Sequence, residues 1–176
     1  TEAAMGCPIH SSMETVQIST TASGLPVHID KYADQADGII VIGRIKPHTD
    51  FRGKYESGLM KMLTIGLGKQ CGANLCHSMG MSNMPETIEA YAGEVLRLKN
   101  VICGVGIIED AFHATYRLTV VPGGEIADRE PALLSEAKSL IPCIPFRKID
   151  VLVLDEIGKD ISGAGMDPNV TGRSQA

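Results

Sequence analysis

The sequence contains no tryptophan and has only three phenylalanines and four tyrosines. Its net charge is −5, and its lysines and arginines are interspersed with acidic residues rather than gathered in a basic stripe. Nucleic acids are bound through clustered positive charge and through stacking of bases on aromatic rings. We therefore expect no nucleic-acid partner.

Long hydrophobic runs are also missing. No stretch approaches the roughly 20 apolar residues that a membrane-spanning helix needs, and no charged segment followed by an apolar one opens the chain. We expect a soluble protein without a membrane partner.

Cysteine is present but not in a pattern that builds a scaffold. The five cysteines are odd in number and irregularly spaced, and no CxxC pair occurs among them: Cys7, Cys71, Cys76, Cys103 and Cys143. This excludes a disulfide framework and argues against a zinc or iron–sulfur cage. A reducing, cytoplasmic location fits best.

Length and hydrophobic content favour one domain over residues 1–176, since 176 residues with 44% hydrophobic content can bury one core. Periodicity predicts strands at Ala36–Ile45, Val101–Glu109 and Ile149–Ile157, and an edge strand or one arm of an antiparallel pair at Tyr116–Gly124. The first has a β-branched run, Ile39–Ile42, typical of a strand buried on both faces. Helices are predicted at Ile29–Gln35, Gly58–Leu67, Glu86–Lys99 and Glu130–Leu140.

This alternation predicts an α/β fold. We expect three αβα layers around a mainly parallel central sheet, in the doubly wound, Rossmann-like arrangement with helices on both faces. Such folds bind ligands beyond the carboxyl ends of their strands. The loops that follow the strands are therefore the first places to look for a site.

Chemically versatile side chains concentrate after the first strand, between Arg44 and His77. A Walker-type phosphate loop is excluded there, because Leu63 and Gln70 flank Gly68-Lys69 where glycine and serine or threonine are needed. A dinucleotide fingerprint at Gly104 is a weak match, since Glu109 replaces its third glycine.

Taken singly, the candidate residues are ambiguous. His48 follows Pro47 at a strand end, where it could titrate in a cleft or serve only as a hydrogen-bonded structural group. Lys61 lies in the apolar stretch GLMKMLTIGLG and could snorkel to the surface, or, if buried, become a nucleophile or attachment point through a lowered pKa. His77 beside Cys76 is at most part of a metal site.

Together, these residues resemble the cofactor loop of the nickel-pincer-nucleotide-dependent lactate racemase family. The matching features are His48 at a strand end, ESGLMK ending at Lys61, and LCH ending at His77, 16 residues later (77 − 61). Upstream, SGLPVHIDKYADQADGIIVIGRIKPH resembles the family's strand, helix and strand leading to the histidine. The resemblance covers Gly24 to His77 and is diffuse beyond.

The resemblance implies racemisation or epimerisation of a small, lactate-like α-hydroxy acid by reversible hydride transfer. It implies a nickel-pincer nucleotide linked to Lys61, seated by Ser57 and Gly58, with His77 as the protein ligand to nickel. His48 would be one catalytic base, exchanging a proton with the substrate hydroxyl. The implied partners are the substrate and cofactor-maturation enzymes, and a homodimer is the assembly considered.

Several departures from the family pattern bear on this implication. Leu59 replaces the second glycine of the cofactor turn, and the interval from His48 to Lys61 is a few residues longer than in lactate racemase. The Gly-Thr-His motif with the second base, and the arginine for the substrate carboxylate, have no counterpart. With Thr1 at the start, we therefore expect a fragment that is inactive when isolated and need not carry the cofactor. Lys46, Arg52 and Lys159 are its carboxylate-binding candidates.

The last segment, residues 155–176, is rich in glycine and polar residues. It is expected to be either a poorly ordered tail or an active-site loop.

Two other functions stay open: an enzyme that binds an ordinary nucleotide or phosphorylated substrate through Lys61 and Lys69 without nickel, and a docking domain without activity of its own.

Overall fold

The structure, a computed structural model, describes residues 1–146, 148–156 and 167–171. In chain order the elements are α1 (Glu2–Met5), β1 (Thr15–Thr20), β2 (Pro26–Asp30), α2 (Lys31–Gln35), β3 (Ile39–Arg44), α3 (Leu59–Lys61), α4 (Leu67–Ser78), α5 (Met84–Leu98), β4 (Val101–Glu109), β5 (Thr115–Pro122), α6 (Ile126–Leu140) and α7 (Pro168–Thr171). A π-helix, Met62–Gly66, joins α3 to α4, and short 3-10 turns precede α5 and α6. Over these described ranges, every helix is too short or too polar to cross a bilayer.

Within the described ranges the β-structure consists of two small open sheets. Strands β1 and β2 make an antiparallel hairpin, while β3, β4 and β5 form a second sheet in that order. Within the second sheet β3 and β4 are parallel and β4 and β5 antiparallel. The mixed α/β class is therefore confirmed, as is the antiparallel edge strand at β5, whereas the expectation of a mainly parallel sheet is wrong.

Helices cover one face of the β3–β4–β5 sheet. Leu59 of α3 and Ile126 of α6 meet β4 at Gly104, where a Cβ would lie 2.6 Å from Leu59 Cδ1. On the opposite face Ile40 and Ile42 are each 56% exposed, beside exposed Leu118 and Val120 of β5. The prediction that the Ile39–Ile42 run is buried on both faces is therefore wrong, because the helices that pack on this sheet lie against one side only.

The prediction of a strand at Ile149–Ile157 is also wrong, because residues 149–156 form no strand. Ile157 lies outside the described residues. Val151 and Val153 point to solvent, while Leu152 and Leu154 line a cavity. Alternating apolar residues favour an extended backbone, but a strand also needs a neighbour with which to pair. This segment runs unpaired past the carboxyl ends of β3 and β4.

The helices follow the predictions with shifted ends. Ile29 belongs to β2, and α5 and α6 begin earlier than predicted. The helix expected at Gly58–Leu67 begins at Leu59 and continues through the π-helix to Ser78, with a break at Lys69, whose φ of 53° is left-handed. Lys69 Nζ lies 3.1 Å from the Asp30 carboxylate, which also caps α2.

Tyr91 joins α5 to the β1–β2 hairpin. Its hydroxyl accepts a hydrogen bond from His28 N–H at 2.7 Å and donates one to His28 O at 2.6 Å. Tyr91→Phe is expected to lower the free energy of unfolding by about 1–3 kcal/mol, because it leaves both strand groups without their partner. Urea denaturation checks this, with Tyr32→Phe as the control at a partly exposed ring. A loss equal to that of the control would contradict it.

Candidate active site

The loop over residues 46–57, here called the His48 loop, is closed at its base by its own ends. Lys46 N–H donates to Ser57 O at 2.8 Å, and Ser57 N–H donates back to Lys46 O at 3.2 Å. This isolated bridge returns the chain to the carboxyl end of β3 just before α3 begins. It brings His48 and Lys61 into one neighbourhood although 13 positions separate them (61 − 48).

His48 is held on both its backbone and its ring. Its side chain is 16% exposed, and the imidazole stacks on Phe51 with the ring centroids 4.2 Å apart. Burial and the positive charge of Lys61 lower the pKa of His48 to about 4, Arg52 adding to this and the carboxylates of Asp50 and Glu56 partly offsetting it. The imidazole is therefore neutral at physiological pH.

Lys61 is half-buried at the end of α3. Burial, followed by the positive charge of Lys46, lowers the pKa of Lys61, and Asp50 partly opposes this. A larger fraction of this amine is consequently neutral and nucleophilic than in an exposed lysine. Of the two interpretations of Lys61, the snorkelling surface residue and the buried amine, the structure favours the second.

Ser57 and Gly58 occupy the turn between the bridge and α3. Gly58 is buried, and a Cβ there would lie 2.1 Å from Oε1 of Glu130. Glu130, on α6, is 1% exposed and accepts a hydrogen bond from Met60 N–H at 2.8 Å, so it caps the first turn of α3. Leu59 is fully buried against β4 and anchors the same turn.

Glu130 has an unusual environment for a carboxyl group. Its Oε1 is buried and has no hydrogen-bond partner in the part of the chain that the structure describes. Burial raises the pKa of Glu130 to about 7, partly offset by the N–H groups of Met60 and Leu59. The group therefore titrates near neutrality directly beneath the turn that carries Lys61.

His77 is the third candidate residue. It is exposed in the last turn of α4, and among the described residues no hydrogen bond or ion pair joins its ring to another group. Those residues also contain no cluster of three or more His, Cys, Asp or Glu side chains able to hold a metal ion. The structure thus groups His48, Lys61, Ser57 and Gly58, and leaves His77 as an uncommitted imidazole.

The carboxylate-binding candidates differ in their commitments. The Arg52 guanidinium donates to the carbonyls of His48 and Phe51 and to Asn169 Oδ1, so its hydrogen-bonding capacity is largely used within the protein. Lys46 is exposed and lines the neighbouring cavity. Lys159 lies outside the described residues.

A cavity of about 470 Å³ adjoins this region at the carboxyl ends of β3 and β4. Its walls are mainly apolar, with Ile45, Ile141 and Leu152 among them, and His48 and Lys61 lie outside the lining. The charged residues that line it are Arg44, Lys46, Glu109, Asp110, Glu156 and Asp167. The volume is within the usual range of small-molecule pockets. Its position agrees with the expectation that ligands bind beyond the carboxyl ends of the strands.

Sequence reasoning missed Glu56, Glu130 and Asn169. The sequence around the two glutamates gives no sign of burial, since each lies in a charged stretch that is typical of solvated surface. Asn169 belongs to the final segment, and its Nδ2 donates to His48 O at 3.2 Å. For residues 167–171, the interpretation of that segment as an active-site loop is thereby favoured over a free tail; residues 157–166 and 172–176 lie outside the described residues.

The comparisons with known proteins add no family. No protein-family model matches the chain, and no curated protein matches it.

Proposed function

We propose that this protein is a racemase or epimerase of a small, lactate-like α-hydroxy acid that works with a nickel-pincer nucleotide linked to Lys61. The observation that carries the proposal is the pairing of a half-buried amine of lowered pKa with a neutral histidine, at the carboxyl end of β3 and beside a cavity. The sequence resemblance to the lactate racemase family supplies the identity of the cofactor.

The residues present fit the cofactor chemically. Acylation of a lysine requires its neutral amine, which burial and Lys46 favour at Lys61. The exposed, uncommitted ring of His77 suits a borderline metal such as nickel. When bound, the nickel-pincer nucleotide supplies a reversible acceptor for the α-hydrogen as hydride.

The chain's own residues would bind and orient the substrate. Lys46 is the best placed of the described candidates to neutralise the substrate carboxylate, because Arg52 is committed to His48 and Asn169. His48 would contact the oxygen that is a hydroxyl in the substrate and a carbonyl in the 2-oxo acid.

The complete fold is part of the proposal. A three-layer, doubly wound arrangement requires a further layer over Ile40, Ile42, Leu118 and Val120, the exposed sheet face. We also place the protein in the cytoplasm, because all five cysteines are unpaired.

The test is intact-protein mass spectrometry with nickel quantitation on protein produced together with cofactor-maturation enzymes. We expect a nucleotide-sized covalent adduct in wild type and none in Lys61→Ala. We expect His77→Ala to retain the adduct and lose nickel. Lys54→Ala and His10→Ala serve as controls, since both alter exposed residues and should behave as wild type.

The proposal fails if fully matured wild-type protein carries neither adduct nor nickel. Retained nucleotide binding without nickel would instead favour the ordinary nucleotide-binding enzyme, although Lys69, one of its two phosphate-binding candidates, is paired with Asp30.

The exposed sheet face favours a second role, docking to another protein surface. Sedimentation of wild type against Ile42→Lys would detect self-association through that face.

A further inference from the structure

Glu56 is a buried charge at the centre of the His48 loop. Its side chain is fully buried, and Oε2 accepts a hydrogen bond from His48 N–H at 2.8 Å. Lys138 of α6 donates to Oε1 at 2.7 Å, and Gly53 N–H lies 3.4 Å from the same oxygen. The Arg52 guanidinium is 3.8 Å from Oε2. A buried carboxylate is tolerated only when it is paired and hydrogen-bonded in this way.

These contacts fix the backbone of His48 from both sides. Its N–H is held by Glu56, while its carbonyl accepts hydrogen bonds from Arg52 and from Asn169. Arg52 therefore links the two clamps, since it contacts both Glu56 and the His48 carbonyl. The turn from His48 to Asp50 has little freedom to rotate.

The fixed turn determines which ring nitrogen carries the proton. Asp50 N–H donates a hydrogen bond to His48 Nδ1 at 3.1 Å. The Asp50 carboxylate Oδ2 is 3.9 Å from the same nitrogen, beyond hydrogen-bond length, and Thr49 Oγ1 donates to that carboxylate. Because a nitrogen that accepts a hydrogen bond carries no proton, the neutral imidazole is protonated at Nε2.

We infer that Glu56 is a positioning residue that holds the His48 turn so that the Asp50 amide fixes the imidazole in its Nε2–H tautomer. The inference deepens the proposed function and rests on it for its catalytic meaning. At the proposed site, Nε2–H donates a hydrogen bond to the substrate oxygen and orients it. Because Nε2 has no free lone pair in this tautomer, the hydroxyl proton that is lost when the α-hydrogen leaves as hydride is taken up by a second base and not by His48, which differs from the role that the family resemblance implies.

The test measures the tautomer directly by long-range proton–nitrogen NMR on ¹⁵N-histidine-labelled protein without cofactor, with His48→Gln to assign the signals. We expect a pyridine-type shift for Nδ1 and a pyrrole-type shift for Nε2 in wild type. In Glu56→Gln the ratio of Nδ1–H to Nε2–H tautomer should rise about fivefold, the effect of weakening one hydrogen bond. Glu89→Gln is the matched control, since Glu89 also binds a lysine, Lys54 at 2.8 Å, but is exposed.

A second variant guards against a folding defect in Glu56→Gln. Lys138→Gln removes the ammonium that holds Oε1, and its side chain is 41% exposed, so the fold should tolerate the change. It should shift the tautomer ratio in the same direction. An Nδ1–H tautomer in wild type, or an unchanged ratio in the variants that fold, would overturn the inference.

Failure of this inference can be told apart from failure of the proposed function. The tautomer is measured without cofactor and does not depend on an adduct at Lys61. In cofactor-loaded protein that turns over L-lactate, which is the readout of the proposed function, Glu56→Gln should lower kcat about 10- to 100-fold with little change in KM, because only the alignment of His48 changes. If the protein shows the Nε2–H tautomer but never acquires the adduct, the proposed function fails. The positioning of His48 by Glu56 would then still hold, but without a catalytic role.

Discussion

The Gly58→Ala substitution is expected to lower the free energy of unfolding by about 3 kcal/mol relative to wild type. The added Cβ would lie 2.1 Å from Oε1 and 2.7 Å from Cδ of Glu130. Glu130 cannot withdraw easily, because it is buried in α6 and accepts the Met60 amide at the start of α3. The clash therefore either separates the two helices or removes the cap from α3.

Urea denaturation of wild type and variant measures this effect. Gly93→Ala is the matched control, since Gly93 lies within α5 and a Cβ there would meet nothing within 4 Å. That change is expected to stabilise the protein by about 0.5–1 kcal/mol, because alanine favours a helix over glycine. In the Gly58→Ala, Glu130→Ala double variant, the loss in unfolding free energy should be much smaller than the sum of the losses in the two single variants, because Glu130→Ala removes the clash. Additive losses would show that Glu130 is not the group that Gly58 accommodates.

The second large effect is a dependence of stability on pH that originates at Glu130. Its pKa is raised to about 7 in the folded protein from 4.5, so the folded state binds more protons than the unfolded state between these values. The stabilisation from this group is complete below pH 4.5 and is lost as pH rises through 7, by an amount on the order of 3 kcal/mol. Glu130→Gln, which keeps an acceptor for Met60 N–H without a charge, should remove that loss.

The quantity to measure is the difference in unfolding free energy between wild type and Glu130→Gln at pH 5 and at pH 8. His48 gives the opposite slope, since its folded pKa of about 4 lies below the unfolded value of 6.5 and stability rises with pH between them. Because both proteins contain His48, the difference between their unfolding free energies cancels the contribution of His48. A difference that is equal at both pH values would contradict a folded-state pKa near 7 for Glu130.

Local pattern was sufficient for much of the fold. The strand Val101–Glu109 has the predicted ends, α6 contains its predicted segment, and α5 contains all of its predicted segment except Lys99, because the periodicity of these helices reflects one buried face. The Ile39–Ile42 and Ile149–Leu154 runs misled because a β-branched composition specifies an extended backbone but not what packs against it. Which face of β3 is covered depends on α3 and α6, which follow later in the chain.

The site was predictable only where its chemistry is unusual for its surroundings. Lys61 stands out in an apolar stretch, and His48 stands at a strand end, so both could be singled out. The supporting carboxylates could not be, because Glu56 and Glu130 acquire their roles through partners 82 and 70 residues away, Lys138 and Met60. Contacts of that range leave no local signal.

The bridge between Lys46 and Ser57 bears on how this site tolerates evolutionary change. It fixes the two ends of the His48 loop in space, at a single pair of backbone hydrogen bonds. Residues inserted or deleted between these ends would lengthen or shorten the loop at a small entropic cost, without moving the start of α3. Such changes would nevertheless displace Asp50 and Arg52, which hold His48, so the bridge preserves the position of Lys61 but not that of His48.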